Sequence, residues 1–158
     1  MKPAWHDNFL ICYDALLKRL ADVPGVAKVI EARNMGELGD GRKIVPLDNV
    51  VYVILDAMTP TTSNGGGREQ TVEIGFSLIL VKRDYTPSRV PYRAAGVGET
   101  WTAITRAIQG FDPQDTAGRA LTASPFVQRA ALPIDYRDGD ALFPLRFVTT
   151  VASLGDAN

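Results

Sequence analysis

The chain has 158 residues, 46% of them hydrophobic, which is ordinary for a globular fold and argues against disorder of the whole chain. Seventeen basic and eighteen acidic residues leave a net charge of −1, without the Lys/Arg excess that general binding to nucleic acid draws on. A lone Cys12 excludes an internal disulfide and fits a reducing compartment.

The N-terminal residues turn polar at His6-Asp7, without the apolar run of a signal peptide, and nothing approaches the roughly 20 apolar residues that span a bilayer. The expectation is a protein made in a cytoplasm, with no membrane partner and one domain over residues 1–158. The first element expected is an amphipathic helix from Asn8 to Asp22. Asp7 or Asn8 offers the capping oxygen, Phe9, Tyr13, Leu16, Leu17 and Leu20 form one stripe, and Pro24-Gly25 ends it. Ile11 points out among the charges opposite and is a candidate subunit contact. A short strand from Ala27 to Arg33 follows, then a polar stretch from Asn34 to Arg42 that reads as an exposed loop.

Asn49 to Met58 is apolar at both alternating sets, which predicts a central strand covered on both faces. From Arg68 to Arg83, Val72, Ile74, Phe76, Leu78 and Leu80 alternate with Thr71, Glu73, Gly75 and Ser77. That is a long antiparallel strand with one solvated or partner-covered face. Between these strands Thr59 to Gly67 reads as a mobile tip, longer than hairpin closure needs. Asp84 to Gly98 is irregular. A second helix is expected from about Glu99 to Gln109, with Val97, Trp101, Ile104 and Ile108 on one face and Gly110 as its stop. Gln114 to Pro125 is polar. Strands Phe126-to-Ile134 and Ala141-to-Ser153 close the chain around an Asp138-Gly139 turn, with Pro144 placed at a strand start or an edge. The fold class is α+β: a mostly antiparallel sheet of about five strands with two helices, in the order α-β-β-β-α-β-β.

No catalytic, cofactor or metal site emerges. Gly65-Gly66-Gly67 lacks the Lys-Ser/Thr and the following helix of a phosphate loop. Gly96-Val97-Gly98 has Trp101 where a dinucleotide fingerprint needs its third glycine. Asp135, Asp138 and Asp140 have turn spacing rather than that of a calcium loop. His6 has no triad context, while Cys12 and Trp101 fall on apolar helix faces and read as core.

The order of elements resembles the tail terminator proteins of long-tailed bacteriophages, the group that includes the minor tail protein U of lambda. The resemblance is carried by the helix from Asn8 to Asp22, the pair Asn49-to-Met58 and Arg68-to-Arg83, the helix with Trp101 and the final pair. It implies a phage- or prophage-encoded, non-enzymatic virion protein without cofactors, located at the head-proximal end of the tail. It further implies a homo-oligomer, usually a hexameric ring, that caps the tail tube protein, stops polymerisation and faces the head-side connector protein. DNA would pass only through the channel. Ile11, Thr61, Asn64, Gly65, Gly66 and Arg68 are the candidate interface residues. Another ring protein of the head–tail junction, or a small enzyme with an intersubunit active site, is the alternative.

Overall fold

The computed structural model describes residues 2–38, 48–83, 93, 96–137 and 139–157. Two helices, α1 (Tyr13–Ala21) and α2 (Val97–Ile108), accompany six strands: β1 (Lys28–Glu31), β2 (Val50–Asn64), β3 (Glu69–Arg83), β4 (Val127–Arg129), β5 (Asp135–Arg137) and β6 (Asp140–Leu154). The strands form one sheet in the order β1-β2-β3-β6-β4, with β5 also pairing β6. Only β1 and β2 run parallel; the other pairs are antiparallel. This is the α+β class and, with one extra strand, the order expected from the sequence.

The alternation in β3 sorts the sheet into two faces. Val72, Ile74, Phe76, Leu78 and Leu80 share a core with Val51 and Val53 of β2 and Phe143, Leu145 and Phe147 of β6. Both helices bury their apolar stripes there, α1 through Leu16 and Leu20 and α2 through Val97, Ile104 and Ile108. Aromatic rings knit this layer: Phe76 lies 5.7 Å from Tyr13 and 6.1 Å from Phe126, and Trp101 lies 5.1 Å from Phe143. Offset and tilted rings at such spacings add to the area they bury. At Gly25 (φ +90°) the chain passes so close to Thr100 of α2 that a Cβ would collide with its hydroxyl.

On the opposite face a smaller core joins Val50, Tyr52, Ile54, Ile79, Val81 and Leu142 under Leu38. The expectation that β2 is covered on both faces therefore holds for Val50 to Ile54. The exposed loop expected from Asn34 to Arg42 does not survive in its first part. Met35–Leu38 is a 3-10 turn with Leu38 fully buried, because this half of the sheet needs a lid and one leucine supplies it. Gly39 to Arg42 and most of the irregular stretch from Asp84 lie outside the described residues, as does Asp138 of the expected turn.

Four other expectations need correction. The helix expected from Asn8 begins only at Tyr13. Asn8 Oδ1 instead takes the N–H of Leu10 (3.0 Å), and bonds three residues back, such as Ile11 N to Asn8 O, wind the chain tightly up to Cys12. Thr59 to Asn64 is not a loop: β2 runs through it, paired with β3 as far as Asn64 opposite Glu69, and only Gly65–Gly67 turns the chain. The strand expected from Phe126 to Ile134 stops at Arg129, and pairing resumes only at β5. Pro144 sits in the interior of β6, opposite Ile79 of β3. On its other side β4 pairs residues 146–148 and β5 residues 140–142, so the missing N–H falls in the gap between two short neighbours.

Candidate assembly surface

Beyond the core, β2, β3 and the end of β6 continue as a three-stranded arm. Every residue from Thr59 to Glu69 is exposed. The arm is stitched by main-chain ladders running out to Asn64–Glu69 and Glu69–Leu154. Side chains reinforce it: Gln70 Nε2 donates to the Thr62 carbonyl (2.9 Å) and Thr61 Oγ1 to the Thr71 carbonyl (3.3 Å). Gly155 N closes the base of the tip by donating to the Arg68 carbonyl (2.7 Å). A third strand, continuous with the core-bearing part of the sheet, gives the hairpin the support that two strands alone lack.

Where the arm leaves the body, an extra residue in β2 changes what the sheet presents. Leu55 lies opposite Phe76 and Ala57 opposite Gly75, so Asp56 is the bulged residue between them. Its carboxylate accepts from Ser77 Oγ (2.6 Å), Arg146 Nε (3.0 Å) and Arg146 Nη2 (3.0 Å). Gly75 makes room, since a Cβ there would stand 2.5 Å from Asp56 Oδ1. One strand further on, Arg129 of β4 lies opposite Arg146 and its Nη2 reaches Glu73 Oε2 at 3.8 Å. Asp56 helps hold the guanidinium of Arg146 protonated, first through the hydrogen bond and then through charge. The result is a band of opposite charges across four strands.

The band has no nucleophile-activating arrangement. Ser77 donates to a carboxylate already gripped by Arg146, and the single histidine stands elsewhere, His6 Nδ1 lying 2.8 Å from Asp7 Oδ1. Among the described residues no group of three or more His, Cys, Asp or Glu side chains is placed to hold a metal ion. Among them, too, no helix is long and apolar enough to cross a membrane. Asp140, one of the three turn aspartates, is committed to Arg83 Nε at 2.8 Å.

Beside the bulge, a groove of about 540 Å³ is lined by Leu10, Tyr13, Glu31, Ala32, Arg33 and Leu55. Burial raises the Tyr13 phenol well above its ordinary pKa, helped by its hydrogen bond to Glu31, so it stays protonated. Leu55 is 38% exposed, as is Ile11, and Met58 is 42% exposed.

The candidate interface residues divide between two places. Ile11 lies in the turn before α1, next to Leu10 of the groove. Thr61 and Asn64 lie on the outer part of β2, Gly65 and Gly66 form the turn, and Arg68 follows it. Leu55 and Asn64 lie opposite Phe76 and Glu69, seven residues apart on β3 and about 24 Å at strand rise, so the groove at Leu55 and the tip of the arm are separate places. Sequence reasoning missed Asp56, Arg146 and Arg129. Gly75, an isolated glycine inside a strand, was the signal for a close approach.

The exposed arm and the apolar groove are surfaces suited to contact with other proteins. A family model described as phage tail terminator protein matches residues 7–154, nearly the whole chain, and the chain belongs to that family. It is a structural protein of the phage tail. No curated protein matches the chain.

Proposed function

We propose that this protein assembles into a closed, six-fold ring that seats on the last ring of the tail tube, ends tube polymerisation and presents the joining surface to the head-side connector. The observation that carries the reading, in a chain of this family, is the arm. Eleven consecutive residues, Thr59 to Glu69, are all exposed on a laddered scaffold. A rigidly mounted, unsatisfied projection is suited to a partner. In this reading Thr61, Asn64, Gly65, Gly66 and Arg68 meet the tube or the neighbouring subunit, and Ile11 meets the neighbour. The protein works by contact alone, without cofactor or catalysis, as a single domain. A net charge of −1 lets DNA pass through the channel without being held.

The test is a tube-assembly reaction with purified tube protein. Added protein should fix the length distribution, and negative-stain images should show rings with a central hole. Arg68→Glu, at an exposed position, should fold normally and cap less well. Tubes that lengthen unchecked in the presence of the wild-type protein would overturn the reading.

A further inference from the structure

The sheet ends in two edges that none of the described residues pairs. β1 covers β2 only from Val50 to Val53, and Ala32 N adds one bond to the Val53 carbonyl. From Ile54 to Asn64 the outer edge of β2 carries no backbone hydrogen bond among the described residues. At the far side of the sheet, Ala130 to Ile134 lie between β4 and β5, all exposed, in no strand and with no backbone hydrogen bond among the described residues.

Free edges are normally blunted by charge, proline or bulges, and Pro60 and the bulge at Asp56 keep the stretch of this edge that is open to pairing short. Here Asp56 is the only charge from Leu55 to Asn64, and it is turned to Arg146. The edge is instead flanked by apolar surface. Leu55 and Met58 stand opposite Phe76 and Ile74, hence on one face, beside the groove of Leu10 and Tyr13. An open edge with an apolar recess along it is the geometry that accepts an added strand: the main chain binds and alternate side chains fill the recess.

The chain contains a matching segment. Apart from Leu154 on the arm, the large hydrophobic residues exposed among the described ones fall into two groups. Leu55 and Met58 lie in the β2 edge strand and Ile11 follows Leu10 of the groove in sequence; Val127, Leu132, Ile134 and Tyr136 lie along the opposite edge. Leu132 is 56% exposed. In an extended segment Leu132 and Ile134 share a face, and their N–H groups share a side with that of Ala130. Pro133 removes a donor only from the other side, leaving one complete row.

We infer that Ala130 to Ile134 of one subunit lies along the open β2 edge of its neighbour, with Leu132 in the groove of Leu10, Tyr13 and Leu55. The two surfaces occupy opposite edges of one sheet, so the contact is head-to-tail, the kind that repeats and closes into a ring. The inference rests on the ring reading in taking a second copy of this chain as the partner.

Cysteine cross-linking tests it. Met58→Cys protein is mixed with protein carrying cysteine at Ala131, Leu132 or Ile134 in turn, under mild oxidation; native Cys12 is fully buried and stays silent. Covalent dimers should form in at least one mixture and in neither protein alone. Leu132→Asp should leave folding unchanged and raise the concentration at which half the protein assembles by about tenfold or more, as loss of a central apolar anchor does. Rings that form without any cross-link and ignore Leu132→Asp would overturn the inference and leave the ring reading intact. Cross-linked dimers found in open assemblies of many lengths, never in rings, would uphold this contact and overturn the ring. Met58→Cys protein that links to itself would show a two-fold contact and overturn the inference, as would a wild-type protein that stays monomeric at every concentration.

Discussion

Gly75 is the position at which a single methyl group tests the charged band. Gly75→Ala would put a Cβ 2.5 Å from Asp56 Oδ1 and 3.1 Å from Arg146 Cζ. Both are ends of flexible side chains, so the backbone can stay, but the two-pronged pair must open. Two terms oppose each other. Replacing glycine by alanine in a strand interior gains about 0.5–1 kcal/mol. Hydrogen bonds to charged groups contribute about 1.5–3 kcal/mol, whereas fully exposed ion pairs contribute about 0.2–1 kcal/mol. The side chains of Arg146 and Asp56 are 25% and 23% exposed, between those limits, and about 2 kcal/mol for the pair as a unit is reasonable. The balance is a loss of about 1 kcal/mol, or roughly 2–4 °C in Tm for a domain of this length. Urea unfolding of four proteins decides it: wild type, Gly75→Ala, Asp56→Asn and the double variant. If alanine acts by parting the pair, Gly75→Ala in the Asp56→Asn background should be neutral or stabilising, giving a coupling of about 1–2 kcal/mol. An equal loss in both backgrounds would refute the reasoning, as would a gain in the wild type.

Two further outcomes follow from single side chains. Cys12 is fully buried, and burial pushes its thiol up to about 11. It should therefore be inert to a thiol reagent at pH 8 in the native protein and titrate as one thiol on unfolding; rapid native reaction would contradict its place in the core. Asp115 accepts from Arg119 N (2.8 Å), Arg119 Nε (2.7 Å) and Ala117 N (2.9 Å). These bonds, the Arg119 N–H foremost, hold its carboxyl below the ordinary 3.8. Since the folded value lies below the unfolded one, what Asp115 contributes to its loop is present above the unfolded value and fades as pH falls through the folded one. An NMR titration should place its midpoint below 3.8, and Asp115→Ala should speed amide exchange at Ala117 and Arg119. A midpoint at the free-chain value would count against the loop geometry.

What could be read in the sequence follows from which forces are local. The period-two alternation of β3 and the stripe Val97, Trp101, Ile104 and Ile108 were legible because one continuous stretch carries the whole pattern. Asp138-Gly139 announced a β5–β6 hairpin, and Arg137 does pair Asp140. The arm was misread because Thr, Ser, Asn and Gly are turn residues by composition. Its strand state is decided by the partners Glu69 to Glu73 and, one strand on, by Thr150 to Leu154. Thr59, Thr61 and Thr62 are β-branched and were the available hint. Leu38 went unseen because one leucine in a polar run has no period. The Asp56–Arg146 pair spans 90 residues and the register of three strands, and nothing local encodes it.

The arm shows how the fold and the proposed role bear on one another. A hairpin of Thr59 to Glu69 alone would be marginal, since two strands without an apolar face do not repay the entropy of ordering them. β6 changes that by running on beside β3 to Leu154, and Trp5 ties this third strand down by donating its indole N–H to the Ala152 carbonyl (3.0 Å). The aromatic body of Trp5 packs against the main core, so the N-terminal segment couples arm to body. The ladder and this tie hold the arm out, and of its exposed side chains Thr61 also bonds back to the Thr71 carbonyl. The exposed side chains other than Thr61 are the part of the strand whose identity the fold constrains least. In a ring that must recognise the end of a tube built of repeated subunits, that freedom is where the identity of the tube would be written.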